Sequence, residues 1–232
     1  MGLFGALFGR RGNGDERSPQ QTLINMDHVV RDDNSLEQSR KFNREHRVPE
    51  NEKISYGYKD GGRGMRLDED GKPINSPSRE ILVVKSPDED EVLRAAIDRA
   101  KSKIDLIDNI EDKARHLSQF VAKAMPQNNP ILNDQIMDEI SGGSHVGKEI
   151  SLGQLIQEGT GVCRHRSLLF KTIADEVGIP SALVRGNFRY QDGLGGGGHA
   201  WNEVIDQDGR RILVDVMHDY IGDMDDLSLI HI

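Results

Sequence analysis

Apolar residues recur at helical spacing in two blocks near the middle of the chain. Leu93, Ile97, Ala100 and Ile104 share one face of a predicted helix. Ser86-Pro87-Asp88-Glu89 ahead of them predicts its start: Ser86 can cap, Pro87 suits the first helical position and Glu89 completes a capping box. A second helix is predicted from Asp108, with Ala114, Leu117, Val121 and Ala124 on its face and Pro126 as its stop. Residues 127–150 are broken by Asn128-Asn129-Pro130 and Ser141-Gly142-Gly143-Ser144 and predict looser structure. Residues 151–158 predict a short helix ended by Gly159. Gly161-Val162-Cys163 then opens a helix carrying Leu169, Phe170, Ile173, Ala174 and Val177, closed by Gly178 and Pro180. Beyond it the pattern turns to strands over residues 181–185, 200–205 and 211–216, with Asp206-Gln207-Asp208-Gly209 as a hairpin turn. Residues 79–85 predict a short strand or docking segment. Helices followed by a run of strands predict an α+β fold: an antiparallel sheet, the Cys-bearing helix packed on it, and a helical shoulder on the N-terminal side.

Residues 1–75 lack a sustained apolar period, so they are expected to form a largely disordered polar arm ahead of a folded domain at 76–232. Leu3, Phe4, Leu7 and Phe8 fall on one helical face before Arg10-Arg11, which suits weak contact with a partner or a membrane surface. The stretch is too short for a secretory signal, and Ala6 stands where myristoylation wants Ser or Thr.

Composition sharpens this division. Hydrophobic residues are 35% and charged residues 30% of the 232, a low apolar share for a chain folded end to end. Residues 1–75 are electrically neutral, so the net charge of −9 falls on residues 76–232. An acidic folded part argues against nucleic acid as a ligand and weakly favours a protein or peptide substrate of basic character. No apolar run approaches the length needed for stable membrane insertion. The single cysteine, Cys163, excludes a disulfide framework and Cys-rich zinc sites, and suits a cytoplasmic or otherwise reducing compartment.

That cysteine sits at a predicted helix N-terminus, where unpaired N–H groups and the dipole favour a thiolate. His199 follows a glycine run at the start of a strand, and Asp215 lies in the partner strand across the turn. The hairpin can set Asp215 beside His199 so that one imidazole nitrogen is held by the carboxylate and the other faces sulfur. A thiol nucleophile needs that pairing of a base with a group that orients it. The alternative is a buried structural cysteine. A metal site from these three residues matches no zinc spacing, and neither metal nor cofactor is assigned. Residues 193–198 lack the Lys-Ser/Thr of a phosphate loop and read as a hinged flap.

Gly161-Val162-Cys163-Arg164-His165-Arg166-Ser167-Leu168-Leu169-Phe170-Lys171, with Val184-Arg185-Gly186, His199-Ala200-Trp201-Asn202 and Leu213-Val214-Asp215, resembles the transglutaminase-like fold of papain-type thiol enzymes. Within that superfamily it is most similar to the EDR-type domain of plant Raf-like kinases, over residues 150–222 and without any kinase motif. The resemblance implies Cys163 as nucleophile, His199 as base and Asp215 as orienter. Gln157, six residues before Cys163, is an oxyanion candidate by its papain-like spacing, with Gln154 as its rival. Arg164, His165 and Trp201 are candidate substrate-binding residues, His165 also suiting a structural role and Trp201 packing under the sheet.

Two functions follow as expectations. One is a thiol-dependent acyl-transfer enzyme acting on protein or peptide amides, with transglutaminase, deamidase or protease chemistry. The other is a non-catalytic protein-binding module on the same fold, tethered by the N-terminal arm. The polar arm and the unusual setting of the domain also suit a bacterial effector exported to a host cytosol.

Overall fold

A computed structural model describes residues 34–76, 79–126, 146–189 and 196–223. In chain order the elements are α1 (Ser35–Glu45), β1 (Arg47–Val48), β2 (Lys59–Asp60), β3 (Ile81–Val83), α2 (Glu91–Ile104), α3 (Ile110–Ala124), β4 (Glu149–Ser151), α4 (Leu152–Glu158), α5 (Cys163–Glu176), β5 (Ser181–Arg189), β6 (Gly196–Ile205), β7 (Arg211–Asp215) and β8 (Tyr220–Asp223). The fold is α+β, as the sequence predicts. An antiparallel five-stranded sheet runs β1-β5-β6-β7-β8, and a smaller sheet runs β2-β3-β4 with its β3–β4 pair parallel.

Helix α5 is the centre of the molecule. It lies between the large sheet and α2 and α3, and every residue from Arg164 to Asp175 is buried. Leu168, Leu169, Phe170, Ile173 and Ala174 fill the core, joined by Leu93 and Leu117 from the shoulder and Val204 and Val214 from the sheet. A helix buried all round must pair its polar groups internally. Lys171 Nζ donates to Asp175 at 2.7 Å, to the Glu52 carbonyl at 2.7 Å and to the Ser181 carbonyl at 2.6 Å.

Two helix starts are displaced from their expected places. Ser86 N and Oγ both donate to Glu89 Oε2 while Glu89 N donates to the Ser86 carbonyl, so the pair closes a turn ahead of the helix and does not form the expected capping box. Asp90 is the cap: its Oδ1 accepts from Leu93 N at 3.0 Å, and its Oδ2 accepts from Gly153 N at 2.9 Å. One carboxylate thus caps α2 and holds α4, a tertiary gain that Ser86 cannot offer. Asn109 rather than Asp108 caps α3. Ser151 caps α4, and Gly159 ends it at φ +65°.

Residues 34–75 are not the unordered arm expected from the sequence. Phe42, Val48, Ile54 and Tyr58 are buried in the main core, and Met65 and Leu67 in a smaller one. Strand β1 extends the large sheet, Arg47 facing Val184. The apolar residues are single and widely spaced, so they give no periodic signal. Polar ties hold the backbone between them: Asp175 Oδ2 accepts from Ile54 N at 2.8 Å, and Gln38 Oε1 accepts from Ser55 N at 2.9 Å. The N-terminal apolar patch, residues 127–145 of the looser stretch expected over 127–150 and the first part of the glycine flap lie outside the described residues. Gly196 to Gly198 belong to β6, where pairing with β5 imposes the strand. Among the described residues no helix is long and apolar enough to cross a membrane.

Candidate active site

The turn that delivers Cys163 is built for close approach. A Cβ on Gly161 would meet Met125 Sδ at 2.6 Å and His165 Cβ at 3.0 Å. Val162 holds the N-cap position with no side-chain oxygen, so it cannot accept from the first N–H groups of α5. Those groups and the positive end of the dipole remain for the sulfur and what it binds.

The three residues after Cys163 clamp this turn. His165 is fully buried; its Nδ1 accepts from Val162 N at 2.9 Å, which leaves Nε2–H to donate to Glu80 Oε1 at 2.8 Å. Burial pushes the His165 pKa down, which suits the neutral imidazole those contacts require. Arg164 bonds the carbonyl and carboxylate of Glu80 and the carbonyl of Asp60. Arg166 Nε donates to the Gly161 carbonyl at 3.0 Å. Burial raises the Glu80 pKa, but His165 and Arg164 outweigh it and hold the carboxyl at about 2. His165 is therefore a buried pin and not a substrate-binding residue.

The expected hairpin brings His199 and Asp215 together. The ladder sets Asn202 opposite Val214, and one step further on that register places Asp215 on the diagonal from His199. His199 Nε2 meets Asp215 Oδ2 at 2.6 Å, both side chains being buried. The other ring nitrogen is left for Cys163, to which His199 is hydrogen-bonded. Burial lowers the His199 pKa, but Asp215 and Cys163 reverse this and raise it to about 9. Burial raises the Cys163 pKa, yet the hydrogen bond and charge of His199, with the N–H groups of Ala200 and Arg164, bring it below the ordinary thiol value. Asp215 is held well below the usual carboxylate range: burial opposes the charge, and the two histidines it binds win. Sulfur, imidazole and carboxylate form one connected chain that can carry a thiolate–imidazolium pair.

The second histidine, His218, gave no signal of its own in the sequence. Its Nδ1 meets Asp215 Oδ2 at 2.7 Å, and its ring lies 4.9 Å from that of His199. Asp215 Oδ1 accepts from the N–H groups of Met217 at 3.0 Å and His218 at 3.2 Å. His199, Asp215 and His218 present ligand atoms within 4.8 Å of one another, so a metal ion could be held there. Their hydrogen bonds already engage the same atoms.

Trp201 is buried and stacks on His199, with ring centroids 6.1 Å apart and planes inclined by 22°. The space for its indole comes from Gly186, where a Cβ would lie 2.5 Å from Trp201 Cη2. Trp201 supports the imidazole from beneath and does not line the opening. Gln157 is exposed on α4 and is absent from the cavity wall, so the spacing that made it an oxyanion candidate does not bring it to the sulfur. Its rival Gln154 donates to Glu158 at 2.9 Å.

A cavity of about 260 Å³ opens on Cys163 and His199. Its other walls include Gly62, Gly198 and four arginines: Arg63, Arg79, Arg164 and Arg185. Of these only Arg164 was a candidate. Arg185 interrupts an apolar strand, which was the one available hint of a buried charge with a purpose; Arg63 and Arg79 sit in polar stretches that carry none.

The chain is 31% identical over 113 residues to human Armadillo repeat-containing protein 3, covering 45% of this chain and 11% of that protein. It is 42% identical over 59 residues to the probable serine/threonine-protein kinase SIS8 of Arabidopsis thaliana, covering 25% of this chain and 5% of that one. The chain thus spans only a small part of each relative's length. A crystal structure described as a candidate cysteine protease from Cytophaga hutchinsonii aligns with a TM-score of 0.27 at 18% identity, over 48% of this chain and 42% of the other. The model of the EDR1/CTR1/ARMC3 peptidase-like family matches residues 69–220, well over half the sequence, and the chain belongs to that family.

Proposed function

We propose that this chain is a thiol-dependent acyl-transfer enzyme acting on protein or peptide amides, with Cys163 as nucleophile, His199 as acid and base and Asp215 as orienter, on a transglutaminase-like, papain-like core. The connected chain from Cys163 through His199 to Asp215, at the floor of a cavity, carries this reading. The thiolate attacks the amide carbon and a carbon–sulfur bond forms. The helix N-terminus, with the Cys163 N–H as its nearest donor, faces the developing oxyanion. The carbon–nitrogen bond then breaks, and the amine or ammonia leaves with the imidazolium proton. Water deprotonated by His199 hydrolyses the thioester, or an acceptor amine takes the acyl group and forms a new amide. A single free thiol at this position suits a reducing compartment.

The test is labelling by an electrophilic peptide probe, with Cys163→Ala and His199→Ala as controls. The chemistry predicts covalent capture by the wild type at neutral pH, none by Cys163→Ala and at least a tenfold slower reaction for His199→Ala. A wild type that labels no faster than a free small-molecule thiol would leave the non-catalytic binding module as the better reading.

A further inference from the structure

The net charge of −9 suggests a basic substrate, but the charge around the reactive sulfur has the opposite sign. Four arginines line the cavity with Cys163 and His199. Arg164 and Arg185 are buried and face two buried carboxylates, Glu80 and Asp60. Arg63 and Arg79 are exposed, and among the described residues neither makes an ion pair. Among the described residues the cavity lining therefore carries an excess of two positive charges.

Arg63 is held in place without being neutralised. Its guanidinium donates to Asn187 Oδ1 at 2.7 Å and to the Gly186 carbonyl, and Gly186 is the residue paired with His199 across the β5–β6 ladder. A Cβ on Gly198 would lie 3.7 Å from Arg63 Cζ, so the guanidinium lies over backbone next to the imidazole. Arg79 Cδ would be 3.6 Å from a Cβ on Gly62. Two glycines keep the wall open beside two cations that no described carboxylate pairs, and the charges of Glu80 and Asp60 behind them are already taken up by Arg164 and Arg185. Such a site favours a planar oxyanion over a cation.

We propose that this cavity selects an acidic peptide, with a carboxylate seated between Arg63 and Arg79 next to the amide carbonyl presented to Cys163. This rests on the acyl-transfer reading for what happens at the sulfur, but selection by charge can be measured separately from it. Iodoacetate and iodoacetamide are close in size and differ chiefly in charge, and the chain has one cysteine for either to alkylate. The ratio of their rates on the full chain cancels the nucleophilicity of the sulfur.

The expected ratio of iodoacetate to iodoacetamide exceeds that for N-acetylcysteine. It falls about fivefold in Arg63→Gln and in Arg79→Gln, and further in the double variant, the size expected for single charges in a half-solvated cleft. Both side chains are exposed, so the folds of these variants are not at stake. Raising NaCl from about 20 to about 500 mM shortens the Debye length from ~20 to ~4 Å and lowers the wild-type ratio towards that of the double variant. Protection from iodoacetamide by a short acidic peptide, and not by its Gln counterpart, completes the assignment to peptide. A wild-type ratio at or below that of the free thiol, or one unchanged in the double variant, overturns the proposal. Equal protection by inorganic phosphate overturns the peptide assignment. Slow reaction with both reagents counts against the acyl-transfer chemistry while leaving the ratio, and so this proposal, readable.

Discussion

Replacing Asp215 by Asn tests whether the carboxylate orients and charges His199. Both carboxylate oxygens are committed as acceptors: Oδ1 takes the N–H groups of Met217 and His218, and Oδ2 takes His199 Nε2 and His218 Nδ1. An Asn can accept at only one end. The two backbone donors cannot turn away, so the amide oxygen stays with them and the NH2 group lands on His199 Nε2. That nitrogen must then act as acceptor, which moves the ring proton to the nitrogen facing sulfur and removes the base. The charge is lost as well. His199 is raised from 6.5 to about 9, an effect of about 3 kcal/mol of which Asp215 is the leading favourable cause. Without it the imidazolium discharges near or below its ordinary value, and burial drives the Cys163 thiol back up.

The assay is the second-order rate of alkylation by iodoacetamide from pH 5 to 10. The wild type is expected to show a step below the ordinary thiol range. In Asp215→Asn the step moves to or above the ordinary range, and the rate near neutrality falls about a hundredfold, the equivalent of ~3 kcal/mol. Stability gives an independent sign. The depressed Asp215 pKa contributes above the ordinary carboxylate value and is lost as pH falls through the folded one. The raised His199 pKa contributes fully below 6.5 and is lost as pH rises through about 9. The deficit of the variant is therefore largest between the ordinary carboxylate value and pH 6.5, and it narrows as pH rises from 6.5 to about 9. A folded variant with the wild-type step and a neutral rate within threefold would refute the reasoning.

Three further outcomes follow from the same contacts. Glu80→Gln leaves Arg164 and His165 buried beside a neutral amide and should cost about 3 kcal/mol in urea unfolding; because Glu80 titrates at about 2, the gap to wild type is present above pH 4.5 and closes as pH falls towards 2, and a variant of wild-type stability at pH 7 would contradict the clamp. Gly186→Ala puts a methyl group against the indole of Trp201 and should cost about 1–3 kcal/mol while shifting the emission of the only tryptophan; unchanged emission and melting would show that the indole does not fill that space. Phe42→Ala should cost about 3–5 kcal/mol in global unfolding, whereas a loosely attached N-terminal segment would make it silent.

The site was legible where chemistry lies along one local signal. Cys163 at a helix start, His199 at a strand start and Asp215 among Ile212, Leu213 and Val214 are each unusual, and one hairpin suffices to join the last two. The helices were legible because their buried faces are periodic. Their first residues were less so, since Asp90 wins its place as cap by also binding Gly153 N, 63 residues away in sequence. His218 is invisible for a similar reason. Its role depends on the turn after β7 folding back on Asp215, a geometry with no pattern in residue types. Gln157 shows the converse error, where a spacing was right and the helix turned the side chain outward.

The segment at 34–76 was missed for a deeper reason, and it bears on how the cleft is made. Its residues contribute little apolar surface each, yet they supply Gly62 and Arg63 to the wall of the cavity and Asp60 to the arginines that line it. Asp60 accepts from the Arg185 guanidinium at 3.1 Å, and its carbonyl accepts from Arg164 at 3.1 Å. Arg185 also lies 4.5 Å over the ring of Phe42, so the apolar anchor of α1 and the charge behind the cavity share one side chain. Without the docked segment, Arg164 and Arg185 would each lose a partner for a buried charge, a costly state that favours docking as strongly as burial of Phe42 does. The clamp on the Cys163 turn and the docking of 34–76 thus meet at one buried arginine, Arg164. The cleft is complete only when a stretch that looks like a polar tether is folded against it.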